Sequence, residues 1–239
     1  MPEDRRTALV TGGSKRVGRQ IVLTLARAGF DVAFTTRQPS ICDLPGDLST
    51  TVTPITLDVC ELPQAADALL ESVQNSFGRL DVLVHNASIY EAADLADTSL
   101  RMIRKLNRIH VEVPILLTRA FAPLLRGSRG HVILMLDAGT DRPAPRYLAY
   151  HASKAAMANL TLSLARALAP EVTVNGIAPG VVEWPENFPP DARQQYLSRL
   201  PLARAGEPAD VANLVKFLVT EGRYITGQIL RVDGGRSIV

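Results

Sequence analysis

The 239-residue chain has only two cysteines, Cys42 and Cys60, in neither a CxxC nor a metal-ligand spacing. That argues against a disulfide framework and a thiolate metal centre, and reduced thiols of a reducing compartment are expected. Charge of one sign is also missing: the net charge is +2, with acids and bases interspersed. No basic stripe exists to track nucleic acid or an anionic membrane, so neither is expected as a partner. No stretch approaches the ~18 uninterrupted apolar residues of a membrane span. The charged start "MPEDRR" precedes an apolar run too short for a signal peptide. A soluble, cytoplasmic protein is expected. Internal repeats, low-complexity tracts and linkers are absent too, so the length fits one α/β domain spanning 1–239.

What is present is alternation. Short apolar, β-branched runs at 7–11, 31–36, 52–57, 81–85, 131–136, 172–177 and 228–232 read as seven strands. Helical periodicity fills the gaps, as at 19–29, 62–77, 106–125, 148–169 and 207–222. Strands alternating with helices predict a doubly wound parallel sheet of the Rossmann kind, with helices on both faces. The segment 181–206 is rich in proline and charge and delays the last helix. It reads as a flap over a site.

The first strand runs into "TGGSKRVGRQ". Gly12 and Gly13 permit a tight turn, and Gly18 lets the next helix start close against the strand. Free N–H groups and the positive end of that helix would face a pyrophosphate. After the second strand an NAD site wants a carboxylate for the ribose hydroxyls. Here Arg37 stands in that place, with Lys15 and Arg16 in the glycine loop. Three cations and no acid suit the 2′-phosphate of NADP, so NADPH is the expected cofactor.

In "YHASK" Tyr150 and Lys154 are one helical turn apart on one face. An ammonium beside a phenol would lower its pKa from ~10 and make it a usable proton donor. The motif follows the strand "HVILML", whose C-terminal end is where an open α/β sheet places its ligands.

"TGGSKRVG", "LDV" (57–59), "HNAS" (85–88), "YHASK", "NGIAPG" (175–180) and "VDGG" (232–235) stand in the order and spacing of one family. On these motifs the chain resembles the short-chain dehydrogenases/reductases along nearly its whole length. Two departures refine the resemblance. Arg16 replaces a glycine of the glycine loop, and Asp137 fills the family's catalytic Ser position, thirteen residues before Tyr150. Both features are similar to the pteridine reductases and the related dihydromonapterin reductases, as are "NASIY" (86–90) and the flap "FPPDARQQYLSRLPL" (188–202). A third departure is His110, which falls where the family has a catalytic Asn. It either holds a proton-relay water or is a polar packing residue.

An ionised Asp only accepts hydrogen bonds, and it would repel the oxyanion formed when a ketone takes up hydride. A reduced pterin offers N–H donors and a C=N bond whose nitrogen needs a proton. Asp137 near Tyr150 would order that edge or help deliver the proton; alternatively it caps the following turn. Tyr90 would stack on a flat heteroaromatic, or pack as core.

The resemblance implies the rest of the site. The pyrophosphate would lie over Gly12, Ser14, Lys15, Arg16 and Val17, with the 2′-phosphate on Arg37. Asp58 would bind the adenine amino group and Val59 line its ring. Asn86 and Ala87 would sit behind the adenine ribose. Ser88 would reach both the cofactor phosphate and the pterin, which Arg16 also contacts. Lys154 would hold the nicotinamide ribose, and Pro179, Gly180 and Val182 would present backbone to the carboxamide. Trp184 would close the site from the flap. Asp137, Tyr150, Lys154 and His110 form the implied catalytic set, with no metal. The expected reaction is reduction of a dihydropterin, with dihydrofolate a further candidate. The rivals are a carbonyl reductase and a non-catalytic NADP sensor. Helices 106–125 and 148–169 resemble the family's dimerising pair, so a homotetramer or homodimer is expected, with the tail "RSIV" reaching a neighbouring subunit.

Overall fold

A computed structural model describes residues 5–38, 48–61, 63–184 and 188–239. The strands are β1 (Thr7–Val10), β2 (Asp31–Thr36), β3 (Val52–Thr56), β4 (Val82–His85), β5 (His131–Met135), β6 (Thr173–Pro179) and β7 (Ile229–Val232). They form one sheet in the order β3-β2-β1-β4-β5-β6-β7, and each neighbouring pair is parallel. The seven strands therefore lie where the apolar runs predict, to within two residues at either end.

The central strands read as continuous apolar runs because both of their faces are covered. Leu9, Leu83, Val132 and Leu134 pack on one side, and Ala8, Val10, Val82, Val84 and Ile133 on the other. Their alternation follows the two-residue period of a strand. The first face is covered by α2 (Gln64–Phe77), α4 (Val113–Ser128) and α5 (Leu148–Leu168), through Leu69, Leu117, Phe121 and Met157. The second is covered by α1 (Arg16–Arg27) and α7 (Pro208–Thr220), through Ile21, Leu25, Val211 and Val215. Each such fully buried side chain contributes about 1.5–3 kcal/mol relative to exposure. Among the described residues, no helix is long and apolar enough to cross a membrane.

The expected single helix over 106–125 is a correction. Helix α3 (Leu100–Asn107) and α4 are joined by a π-helical turn, Arg108–Glu112. Pro114 has no N–H to return to the carbonyl four residues back, that of His110. The ladder shifts by one residue instead, and the Val113 N–H bonds to the Arg108 carbonyl. His110 sits at the middle of this turn. The flap holds a further helix, α6 (Pro190–Leu197), while its residues 185–187 lie outside the described ones.

Successive connections run in opposite directions from β1, toward β2 on one side and β4 on the other, which opens a crevice at their C-terminal ends. Gly12, Arg37, Asp58, Asn86, Asp137 and Gly180 all follow strand ends on that one edge.

Candidate active site

The glycine loop is shaped by contacts that leave no room for side chains. Gly12 has φ +67, and a Cβ there would meet the Ala87 Cα at 3.1 Å. A Cβ on Gly18 would come within 2.2 Å of the Gly12 carbonyl oxygen. Asn86 braces the loop: its Nδ2 donates to the carbonyls of Thr11 and Gly12, both at 3.0 Å. The Asn86 and Ala87 N–H groups both donate to Thr11 Oγ1. Asn86 thus acts through the loop.

The first turn of α1 has neither a side-chain cap at Lys15 nor an acidic residue. Its N–H groups and the positive helix end are left for an anion. Ser14 and Val17 are half-buried along this loop, and Lys15 is exposed. Arg37, just past β2, is exposed as well. The narrow turn, the uncapped helix start and the cations fit a dinucleotide diphosphate. Asp58 has one oxygen occupied by the Cys60 N–H at 2.9 Å, beside the buried Val59. Arg16 adopts φ +54, the left-handed region that a glycine would fill without strain. Its guanidinium pairs with Glu183 of the flap at 3.0 Å.

On the other side of the crevice, Asp137 engages the protein with both of its oxygens. Oδ1 accepts the Gly139 N–H at 2.7 Å, capping the turn. Oδ2 accepts the Tyr150 hydroxyl at 2.8 Å. Tyr150 lies in the first turn of α5 and is almost wholly buried.

The expected lowering of the Tyr150 pKa by Lys154 is a second correction. Burial, followed by the charge and hydrogen bond of Asp137, raises it well above the ordinary tyrosine value. Lys154 Nζ instead donates to the Met135 carbonyl at 2.7 Å and lies 5.9 Å from the Tyr150 ring centroid. Burial draws the Lys154 pKa down to about 8, against the opposing charge of Asp137. The phenol is held protonated by a carboxylate rather than pushed toward phenolate by an ammonium.

His110 is fully buried. Its Nε2 is 2.8 Å from Ser88 Oγ and its Nδ1 2.8 Å from Ser153 Oγ. Both ring nitrogens are engaged by protein hydroxyls, so the ring itself does not hold a relay water. Ser153 Oγ in turn donates to the Tyr150 carbonyl at 2.7 Å. Burial, then the charge of Lys154, pushes the His110 pKa far down, which keeps the ring neutral.

Tyr90 is 60% exposed and stacks on Tyr147, with centroids 4.8 Å apart and planes at 23°. The same ring meets Tyr150 edge-on at 4.9 Å. It is therefore a surface aromatic at the mouth of the site, and its packing as core is not observed. Tyr147, missed in the sequence, belongs with it; three residues before Tyr150, it shares that residue's side of the chain. Trp184 packs within the flap, against Phe188 at 4.9 Å and Tyr196 at 5.5 Å. Gly180 continues from Pro179 by donating its N–H to the Val232 carbonyl, and Val182 packs against the α1/α7 side of the core.

Comparison with known proteins agrees with this arrangement. Residues 13–237 match the family model described as enoyl-(acyl carrier protein) reductase. The chain is 33% identical over 240 residues to a dihydromonapterin reductase of Enterobacter sp. (strain 638), covering 98% of each. It is 34% identical to that of Citrobacter koseri, over 96% of each. A crystal structure of acetoin dehydrogenase from Salmonella typhimurium superposes with a TM-score of 0.88 at 30% identity, covering 99% of this chain and 97% of that one. A blue fluorescent protein from a metagenomic library, in complex with NADPH, gives the same TM-score and identity over 99% of this chain and 100% of that one. With its parallel sheet, glycine loop and Tyr–Lys helix in place, the chain belongs to the short-chain dehydrogenase/reductase family of NAD(P)-dependent oxidoreductases.

Proposed function

We propose that the protein reduces the ring C=N bond of a dihydropterin at the expense of NADPH. The observation that carries this reading is the Tyr150 hydroxyl bonded to the Asp137 carboxylate. A carboxylate at that place accepts N–H groups and disfavours a developing alkoxide. The nitrogen of a reduced C=N bond must collect a proton, and Tyr150 Oη holds one at the site. The open ring face of Tyr90 supplies a stacking surface for a flat heteroaromatic, contributing ~0.5–1.5 kcal/mol beyond burial. The relatives named dihydromonapterin reductase support this choice of substrate.

The whole chain acts as one NADP-binding domain. The α1 N–H groups with Ser14, Lys15 and Val17 would hold the diphosphate, and Arg37 the 2′-phosphate. Asp58 would take the adenine amino group, Lys154 the nicotinamide ribose, and Pro179 to Val182 the carboxamide. When bound, the reduced nicotinamide supplies a hydride. The NADPH complex of a similar structure supports the choice of cofactor. Exposed Ile115 on α4 and Leu162 on α5 support burial of these helices in a homodimer or homotetramer.

The similar acetoin dehydrogenase structure favours a second reading, a carbonyl reductase. The experiment is NADPH oxidation with dihydromonapterin in the wild type, Tyr150→Phe and Asp137→Ala. Each variant is expected to lose roughly two to four orders of magnitude in turnover with NADPH affinity nearly intact. Wild-type turnover in both would refute the assigned roles.

A further inference from the structure

The chain Ser88–His110–Ser153 has one self-consistent proton assignment. The Tyr150 carbonyl, 2.7 Å from Ser153 Oγ, can only accept, so the Ser153 hydroxyl donates to it. The single proton of Ser153 is thereby used. Toward His110 Nδ1, 2.8 Å away, Ser153 offers only a lone pair, so Nδ1 carries the ring proton. In a neutral ring Nε2 is then bare, and the Ser88 hydroxyl donates to it across 2.8 Å. The opposite tautomer would turn the Ser153 proton toward Nδ1. Two buried oxygens would then face each other at 2.7 Å with no proton between them. Burial of the ring, with the charge of Lys154 beside it, disfavours the imidazolium and leaves the ring neutral.

Ser88 itself remains exposed at the end of β4, next to Ala87 and the glycine loop. We propose that His110 is a positioning residue for ligand recognition: by taking the Ser88 proton it makes Ser88 Oγ an acceptor only. Ser88 then receives an N–H from the substrate and does not donate to a cofactor phosphate. Together with Asp137 it makes a site with two acceptors, which selects an edge rich in N–H groups and rejects one rich in carbonyls. That the ligand is a reduced pterin rests on the reading above; the proton assignment does not.

The test is a nitrogen–proton correlation NMR spectrum of the full-length protein with labelled histidine, His110 being assigned by the signal lost in His110→Asn. At neutral pH, Nδ1 is expected to be protonated and Nε2 bare. A protonated Nε2, alone or with Nδ1, overturns the proposal. The second arm measures binding to Ser88→Ala by NADPH fluorescence and by titration with dihydromonapterin. Loss of one hydrogen bond should weaken dihydromonapterin by about tenfold and leave NADPH unchanged. Weaker NADPH binding, or unchanged dihydromonapterin binding, overturns it. Wild-type protein that binds no dihydropterin sinks the proposed function instead, and the tautomer then decides this inference alone.

Discussion

Replacing Asp137 by Asn separates the charge of this side chain from its shape. The amide oxygen can still accept the Gly139 N–H, so the turn after β5 keeps its cap. The new amide nitrogen would face Tyr150 Oη, where a carboxylate oxygen now accepts at 2.8 Å. The hydrogen bond then reverses: the amide donates, and the phenol proton is released into the crevice. In the wild type the carboxylate stabilises the phenol and repels the phenolate, and both effects raise the Tyr150 pKa. Removing them must lower it. A hydrogen bond to a charged group is worth ~1.5–3 kcal/mol. The phenol should therefore ionise at a lower pH in the variant than in the wild type. Lys154 should move down too, because Asp137 is what opposes its burial. The assay is a tyrosinate absorbance titration of the wild type and of Asp137→Asn, with Tyr150→Phe in each background to isolate the one signal. A Tyr150 that ionises at the same pH or later in Asp137→Asn would refute the electrostatic account of the pair.

Two other expectations follow from charges elsewhere. Burial lowers the pKa of His85 to about 3 and of His131 to about 4, and pushes that of His110 down further. The unfolded chain takes up protons at these residues below pH ~6.5 while the folded one does not, so stability falls with acidification. From pH 7 to 5 each should cost about 2 kcal/mol; a urea midpoint that does not move over that range would contradict this. Arg37→Glu should weaken NADPH by about ten- to a hundredfold and improve NADH, read as KM for each, since it exchanges a charge-assisted phosphate contact for a repulsion. Unchanged values would remove Arg37 from the cofactor site.

The strands were legible because a parallel sheet buries both faces of its strands, leaving Val, Leu and Ile runs that little else explains. The α3–α4 break was not, since the periodicity of 106–125 continues through a π-helical turn; Pro114 was the available signal. The spacing singled out Tyr150 and Asp137, but the sequence posed capping and a place beside Tyr150 as alternatives, where the carboxylate caps the turn with one oxygen and accepts the Tyr150 hydroxyl with the other. Ser153 and Tyr147 were missed although they flank Tyr150, because only the fold shows that one meets His110 and the other Tyr90. The Arg16–Glu183 pair spans 167 residues, a separation no local pattern reports.

The choice between a nitrogen and an oxygen as the protonated atom is settled most directly by one comparison. Purified protein is supplied with NADPH and, separately, with dihydromonapterin, dihydrobiopterin, dihydrofolate and a panel of small ketones including acetoin, and kcat/KM is measured for each. The account predicts that at least one dihydropterin is reduced with a kcat/KM far above that of every ketone. Efficient reduction of a ketone with no turnover of any pteridine would contradict it.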